Sequence, residues 1–538
     1  MNWINKLYYG DCLTIMQDLP VNYFDLIYLD PPFNSNRTYN AIYTDEIGRP
    51  LPDQVEAFCD TWELTEDRER AIRAMPFAMR ESGIDDDTVE FWRLWMHALR
   101  NTQPRLLAYL SYMVERLIVM YRLMKPTASL YLHCDPTASH YLKALLDALF
   151  GHDHFRNEIV WRRTTAHSDS RRYGANIDII LFYTRGKTWT WNPQYLPYDD
   201  QYKKRFKRKD PDGRAWSDYD LTAKGLSGGG YEYEYKGATS LWRVPLTTMQ
   251  RYDAENRLHF TSRGGIRLKR YLEEMKGRPV QALWDDIDAI NSQSKERMGY
   301  ATQKPLALME RIIRTSSNPG DLVLDPFCGC ATTLEAAQRL GRRWVGIDVA
   351  IHAIKRVAQM RLVDRCGLEA GRDFEIEGVP KTLEGAFDLW ERDKYQFQKW
   401  AIEQIEGFCT PKRTADGGVD GRIYFELADM KHLQSMVVEV KGGKNVNVQS
   451  LRALRGVLDN EDALMAGLIT MEPLGKIQER NFRKFMAQAG DLVVNGFPYP
   501  RMQMLSVPDI LDGKRFNLPN VAGRHELRPR LIPVQPGA

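Results

Sequence analysis

Phe24-Asp25-Leu26-Ile27-Tyr28-Leu29-Asp30-Pro31-Pro32-Phe33 reads as a buried strand that stops abruptly. Its apolar run has the length and the Ile, Leu and Tyr content of a strand covered on both faces. The two prolines, which lack N–H groups, end it. A second stretch of similar design lies far downstream: Leu322-Val323-Leu324-Asp325-Pro326-Phe327-Cys328-Gly329-Cys330-Ala331-Thr332-Thr333. Runs of this kind predict strands over Lys6–Gly10, Asp25–Asp30, Ala128–His133, Glu158–Trp161, Ile177–Thr184, Leu322–Pro326 and Trp344–Asp348. Helical periodicity over Leu106–Met124, Ala138–Phe150, Pro305–Ser316 and Leu334–Leu340 separates them. Such alternation predicts an α/β, doubly wound, Rossmann-like sheet of parallel strands, with ligands at their carboxyl ends.

The two stretches suit different chemistry. An exocyclic amine on a nucleobase has its lone pair delocalised into the ring, and acceptors for its N–H groups help it pyramidalise. Asp30 offers a carboxylate and Pro31 a carbonyl, Pro32 stiffens the turn, and Phe33 offers a flat face for an extruded base. In the second stretch Gly329 lets the backbone approach a ligand, and the helix that begins near Thr332 presents free N–H donors. Val345-Gly346-Ile347-Asp348 then places a carboxylate at the next strand end, where ribose hydroxyls are bound in such sheets. Gly10-Asp11, ending the first strand, is a candidate for an adenine amine. The bland alternative is a strand-ending turn at Asp30 and a packing glycine at Gly329.

At 538 residues the chain has room for several domains, and its 43% hydrophobic and 27% charged residues are ordinary for a globular protein. A formal net charge of +3 points to no partner. The seven cysteines are scattered, form no CxxC pair and fit a reduced, cytoplasmic setting. No apolar stretch reaches the ~18 residues of a membrane span, so a soluble protein is expected. Residues 44–101 read as an inserted helical cap without strands, and 194–286 as an irregular, tyrosine-rich, basic insertion. Residues 366–393 read as a linker, 394–512 as a second, smaller α/β unit, and 513–538 as a mobile basic tail.

In their order, these motifs resemble the β-class of amino-methylating DNA methyltransferases, in which the amine motif precedes the cofactor motif. The resemblance covers about residues 5–363. It is carried by Gly10-Asp11-Cys12-Leu13, Asp30-Pro31-Pro32-Phe33, Leu123–Thr127 with Leu130–Asp135, Asn157–Trp161, Tyr300–Pro305, Asp325–Thr333 and Gly346-Ile347-Asp348. It implies a permuted methyltransferase domain over 1–365 with S-adenosyl-L-methionine as donor. It assigns Asp30, Pro31, Pro32 and Phe33 to the target base. Asp11, Lys304, Pro305, Asp325, Phe327, Gly329 and Asp348 go to the cofactor. An opening aspartate resembles the adenine-N6 members, whereas cytosine-N4 members more often carry serine there. The family's loop reads FxGxG, and Ala331 stands here at the second glycine. Similar enzymes are frequently dimers, which makes a homodimer an open expectation. An RNA or protein amine is an alternative substrate.

Within the basic insertion, Lys203, Lys204, Arg205, Lys207 and Arg208 lie near Tyr195, Tyr198, Tyr202, Trp216 and Tyr219. Cations that neutralise phosphates beside stacking rings suit contact with double-stranded DNA, against the alternative of a solvated charge run. The resemblance makes this insertion the target-recognition region. In the second unit, Gly417-Gly418-Val419-Asp420-Gly421 precedes the strand Met436–Lys441, where Glu439 and Lys441 share a face. Asp420 and Glu439 are candidate ligands for Mg²⁺, a cation that prefers oxygen, with Lys441 beside them and Glu403 on the preceding helix. The pattern resembles the PD-(D/E)xK restriction-endonuclease-like superfamily, with Val419 at the usual proline. Either a nuclease acting on unmethylated DNA or an inactive DNA-binding module would preserve it, and a chain that is primarily an endonuclease is a further alternative.

Overall fold

The computed structural model describes residues 5–32, 38–41, 55–59, 62–165, 171, 173–223, 229–291, 294–297, 303–350, 354, 358–409, 419–425, 427, 434–443, 446–460 and 463–519. They fall into two compact units, one of residues 1–192 with 282–538 and one of residues 193–281.

Nine strands build the main sheet of the first unit. In chain order they are β1 (Asn5–Tyr9), β2 (Phe24–Leu29), β3 (Met124–Cys134), β4 (Phe155–Arg162), β5 (Ile177–Thr184), β6 (Leu283–Trp284), β7 (Leu322–Asp325), β8 (Arg343–Asp348) and β9 (Phe374–Glu377). In space they run β6-β4-β5-β3-β2-β7-β8-β1-β9. The central strands are parallel, with Leu26 opposite Val323 and Ile27 opposite Leu324 between β2 and β7. Strand β5 runs antiparallel to both neighbours, which makes the sheet mixed rather than parallel. The chain reverses between β4 and β5, so that Ile159 lies opposite Ile180.

Helices pack on the sheet through continuous apolar stripes. Pro104–Leu123 buries Leu107, Leu110, Met113, Val114, Leu117 and Met120 completely. The inserted segment holds two helices, Glu66–Glu81 and Asp86–Thr102, but it is not wholly helical. Val55–Cys59 pairs with Thr38–Ala41 as an antiparallel ribbon, in keeping with its β-branched and aromatic residues. The expected linker also carries structure: β9 adds to β1, and Leu383–Arg392 forms a helix capped by Thr382.

Beyond it, a second sheet runs Phe408–Cys409, Gly421–Phe425, Gln434–Lys441, Met465–Thr470, Met502–Ser506. The tail is ordered at its start: Phe516 and Leu518 are buried. The Phe516 ring lies where a side chain on Gly467 would meet it at 2.7 Å, so glycine is required there.

Residues 193–281 form a four-stranded antiparallel sheet and a hairpin, not an irregular loop. The sheet order is Leu258–Phe260, Ile266–Tyr271, Ala215–Asp220, Arg208–Lys209, and the hairpin is Tyr231–Tyr235 with Ala238–Trp242. Leu221, Trp242, Met249, Leu258 and Ile266 make its core.

One buried ion cluster fixes the helix after the cofactor-side loop. Glu335 and Arg361 are both fully buried and pair at 2.5 Å, and Arg339 meets the other carboxylate oxygen of Glu335 at 2.5 Å. Removing one member of a buried pair strands the other charge, at a cost of about 3–5 kcal/mol. Glu335→Ala should therefore lower the unfolding free energy by about that amount in urea titration; a loss below about 1 kcal/mol would show that Arg361 finds another partner.

Candidate active site

Because β2 and β7 are neighbouring parallel strands, the residues that follow them emerge side by side. Asp30 leaves β2 as β7 ends at Asp325 and turns through Pro326 and Phe327. Oδ2 of Asp30 is paired with the Lys304 ammonium. Oδ1 of Asp30 is buried with no hydrogen-bond partner among the described residues. Such an atom costs roughly 1–3 kcal/mol unless something donates to it. Pro31 and Pro32 follow as the sequence predicts; Phe33 lies outside the described residues, as do Tyr300, Ala301 and Thr302.

The loop after β7 is held from within. Phe327 N–H donates to Asp325 Oδ1 (3.1 Å), and burial, with Asp30 and Asp348 nearby, pushes the Asp325 carboxyl up to about 7. Gly329 takes a positive φ of 47°, and its N–H donates to Asp348 Oδ2 (2.8 Å). Oδ1 of Asp348 accepts from Ala350 N–H (2.8 Å). Ala331, the departure from the family loop, takes the left-handed conformation a glycine would take (φ 59°, ψ 31°). It stands at the N-cap of the helix Thr332–Arg339, which has no side-chain cap. The first N–H groups of that helix are therefore left for a ligand. Pro305 stands at the N-cap position of the helix Leu306–Ser316, and Leu306 N–H donates to Glu296 Oε1 (2.5 Å).

On the other side of β8, Gly10 N–H donates to Asp348 O (3.0 Å) and the chain enters the short helix Cys12–Gln17. Asp11 caps it through Leu13 N–H (2.8 Å) and pairs with Arg116 (2.5 Å). Arg116 is buried flat on Tyr112, 3.4 Å from the ring centre, and Tyr112 in turn lies 6.5 Å from the Phe327 ring. Sequence reading missed Arg116. Its signal was a Glu115-Arg116 pair in the apolar middle of the helix, between Arg105 and Arg122. It also missed a buried chain beneath the site: the Tyr28 hydroxyl meets His133 Nδ1 (2.9 Å), and His133 Nε2 meets Asp178 Oδ2 (3.1 Å).

A left-handed turn at Gly329 and Ala331, uncapped helix donors and a strand-end carboxylate at Asp348 fit S-adenosyl-L-methionine. Asp11, Lys304, Asp325, Phe327, Gly329 and Asp348 all lie at the carboxyl ends of β1, β2, β7 and β8 or at the turn before helix Leu306–Ser316.

In the second sheet, Asp420 N–H donates to Val438 O (2.9 Å) and Asp420 Oδ2 accepts from Val440 N–H (2.7 Å). Asp420 thus flanks the Glu439 position across the ladder. Glu439 is buried, pairs with Lys441 at 2.5 Å, and keeps Oε2 without a hydrogen-bond partner among the described residues. Burial raises its carboxyl, and Lys441 offsets part of that. Glu403 stands on the helix Lys394–Gln404. No cluster of three His, Cys, Asp or Glu groups able to hold a metal occurs among the described residues. Gly417 and Gly418 lie outside them.

In the 193–281 unit, Lys203, Lys204, Arg205, Lys207 and Arg208 are exposed around the buried Phe206. Arg205 lies over Tyr202 (5.3 Å) and Arg208 over Trp216 (5.2 Å), while Lys203 pairs with Asp200 (3.2 Å). Tyr198 and Tyr202 stack at 4.2 Å, and Arg270 lies 3.5 Å from the Tyr219 ring centre.

Two measurements probe this geometry. An L residue in the left-handed region is disfavoured by roughly 1–2 kcal/mol, so Ala331→Gly should raise stability by about 1 kcal/mol in denaturant titration. A carboxyl raised by burial contributes stability below its unfolded value and loses it as pH rises through its folded value. Asp325→Asn should therefore gain stability relative to the parent above about pH 7 and little near pH 4. Equal differences at both pH values would contradict the assignment.

The sequence of residues 24–359 matches the DNA methylase family of the N6/N4 type. A type II methyltransferase of Enterobacter cloacae, M.EcaI, is 33% identical over 296 residues, which cover 54% of this chain and 65% of that protein. The StyLTI Mod subunit of Salmonella typhimurium, a type III restriction-modification enzyme, is 30% identical over 353 residues, 62% of this chain and 49% of that protein. The chain thus matches about half to just under two-thirds of these relatives' lengths. Among solved structures, the M1.HpyAVI complex with SAM aligns over 66% of this chain and 99% of its own at 17% identity and a TM-score of 0.30. The cytosine-N4-specific PvuII DNA methyltransferase aligns over 67% and 90% at 13% identity and 0.31. With more than half of its length matched by the family's own pattern, the chain belongs to the N6/N4 DNA methylase family.

Proposed function

We propose that this protein transfers a methyl group from S-adenosyl-L-methionine to the exocyclic amine of adenine within a specific double-stranded DNA sequence, in a restriction-modification setting. The observation that carries the proposal is Asp30 Oδ1, buried and without a hydrogen-bond partner among the described residues, beside the loop Asp325–Ala331. When bound, S-adenosyl-L-methionine supplies an electrophilic methyl. The chain supplies the rest. Asp30 Oδ1 accepts one N–H of the amine and the Pro31 carbonyl the other, so the nitrogen lone pair turns out of the ring. Lys304 anchors Oδ2 and keeps the carboxylate aimed. As the nitrogen gains its methyl it sheds a proton, and Asp30 Oδ1 is placed to take it. Asp348 is the acceptor for ribose hydroxyls, and Asp11 for the adenine end of the cofactor. Adenine is favoured over cytosine by the aspartate at position 30.

The exposed cations Lys203, Lys204, Arg205, Lys207 and Arg208, with their neighbouring rings, support residues 193–281 as the DNA-reading unit. A second activity is supported by the open Glu439 Oε2 beside Asp420 and Lys441: Mg²⁺-dependent cleavage of unmethylated DNA. Bound there, the ion would be held by Asp420 and Glu439 and would supply an activated water.

Long-read sequencing of DNA from a host expressing the chain should show N6-methyladenine at one recognition sequence. Asp30→Ala should abolish the mark, a loss of at least about 10³-fold in turnover, while S-adenosyl-L-methionine still binds. Methyl label on cytosine alone, or on RNA or protein alone, would refute the assignment. Glu439→Ala should remove metal-dependent cutting and leave methylation intact. Failure of the parent to cut any unmethylated substrate would reduce the second domain to a binding module.

A further inference from the structure

The helix Pro104–Leu123 carries Tyr112 and Arg116 one turn apart, which puts both side chains on one face. The Arg116 guanidinium uses all three of its nitrogens. Nη2 pairs with Asp11 Oδ2 (2.5 Å), Nε donates to Cys12 Sγ (3.3 Å) and Nη1 donates to Tyr112 O (3.1 Å). Its central carbon lies 3.4 Å from the centre of the Tyr112 ring. A planar fork held at three points and laid against a ring is left with one orientation.

The pair that Arg116 makes with Asp11 is lopsided. The arginine side chain is 5% exposed and the aspartate side chain 35%. Oδ1 of Asp11 is committed to the N–H groups of Leu13 (2.8 Å) and Thr14 (3.4 Å). Oδ2 faces the guanidinium, and a carboxylate oxygen with one donor keeps a second lone pair. Burying a cation costs solvation that a half-exposed partner repays poorly, so stability is a weak reason for this arrangement. An acceptor held open on one side is a better one. Asp11 follows β1, and Gly10 N–H donates to Asp348 O (3.0 Å), so Asp11 stands one strand beyond the carboxylate assigned to the ribose. The half-buried Tyr112 ring is centred 6.5 Å from Phe327 and 4.8 Å from Trp62.

We propose that Arg116 is a positioning residue of the cofactor's adenine subsite: it holds the Asp11 carboxylate as acceptor for the exocyclic amine and seats the Tyr112 ring beside Phe327 as an aromatic wall of the same subsite. The proposal rests on the reading of Asp11 given above. A carboxylate free to rotate gives up that freedom when a ligand binds. Clamped by Arg116 on one oxygen and by helix N–H groups on the other, Asp11 has given it up beforehand. Arg116 itself touches no ligand and acts through Asp11 and Tyr112. A fixed acceptor also selects. Against a purine without the amine, Asp11 exchanges water for a ring edge that donates nothing, and the ligand is penalised.

The test is calorimetric binding of two ligands to the full chain, without DNA or metal: S-adenosylhomocysteine, and its analogue with hydrogen in place of the adenine amine. The parent should prefer the first about tenfold or more, the worth of one hydrogen bond to a charged group. Arg116→Met should weaken the first ligand about tenfold and the second little, so that the preference collapses. Arg116→Lys keeps a cation there and should recover part of the preference. Tyr112→Leu, which removes the ring under the guanidinium, should lower the preference in the same direction, and it decides the matter if the Met variant does not fold. A variant that keeps the parent's preference, or that loses affinity for both ligands equally, overturns the proposal and leaves the methyltransferase reading standing. A parent that binds both ligands alike overturns it together with the assignment of Asp11. Absence of binding by the parent overturns the proposal and the methyltransferase reading alike.

Discussion

The parallel pairing of β2 with β7 is the constraint from which the site follows. Four residues, Leu26 and Ile27 against Val323 and Leu324, bring together two segments that the chain separates by most of the domain. Each strand is buried on both faces, so a shift of register would carry apolar side chains to new layers and be resisted by the whole core. With the register held, Asp30 and the Asp325–Ala331 loop can only emerge next to one another. The acceptor and the cofactor loop share an address because the sheet does, whatever the order in which the chain supplies them.

The electrostatics of the site are those of a place kept dry. Asp30, Asp325 and Asp348 crowd three carboxylates at one edge of the sheet. Each has a different answer to burial. Asp30 takes a lysine, Asp325 is pushed towards neutrality, and Asp348 spends its oxygens on backbone N–H groups. Of the three, Asp30 keeps a buried oxygen with nothing donating to it among the described residues, which sets it apart as the atom with room for an amine N–H.

Much of this was legible in the residues. Strands β2, β7 and β8 announce themselves because fully covered strands are uniformly apolar and end in turn residues. Asp30 and Asp348 were legible for the same reason, as carboxylates at strand ends. Other features carried too little local signal. Strand β9, Phe374-Glu375-Ile376-Glu377, alternates like any exposed segment and is a strand only because β1 offers it an edge. The reversed direction of β5 shows only in its pairing with β3 and β4 across the sheet. Arg116 and Asp11, or Tyr28, His133 and Asp178, are partners through space, and no spacing in the chain links them. Phe516 and Leu518 are two apolar residues in a polar tail, and only the groove at Gly467 makes them core. Ala331 read as a defect in the loop, and the backbone bends there all the same.

The sheet order also bears on how the molecule comes into being on the ribosome. Among the described residues β1 bonds to β8 and β9, so it has no neighbour in its sheet until residues past Arg343 have been synthesised. β2 likewise keeps one open edge until β7 arrives. Bare strand edges in a nascent chain invite mispairing, and β8, which enters between β7 and β1, both already made, closes the gap.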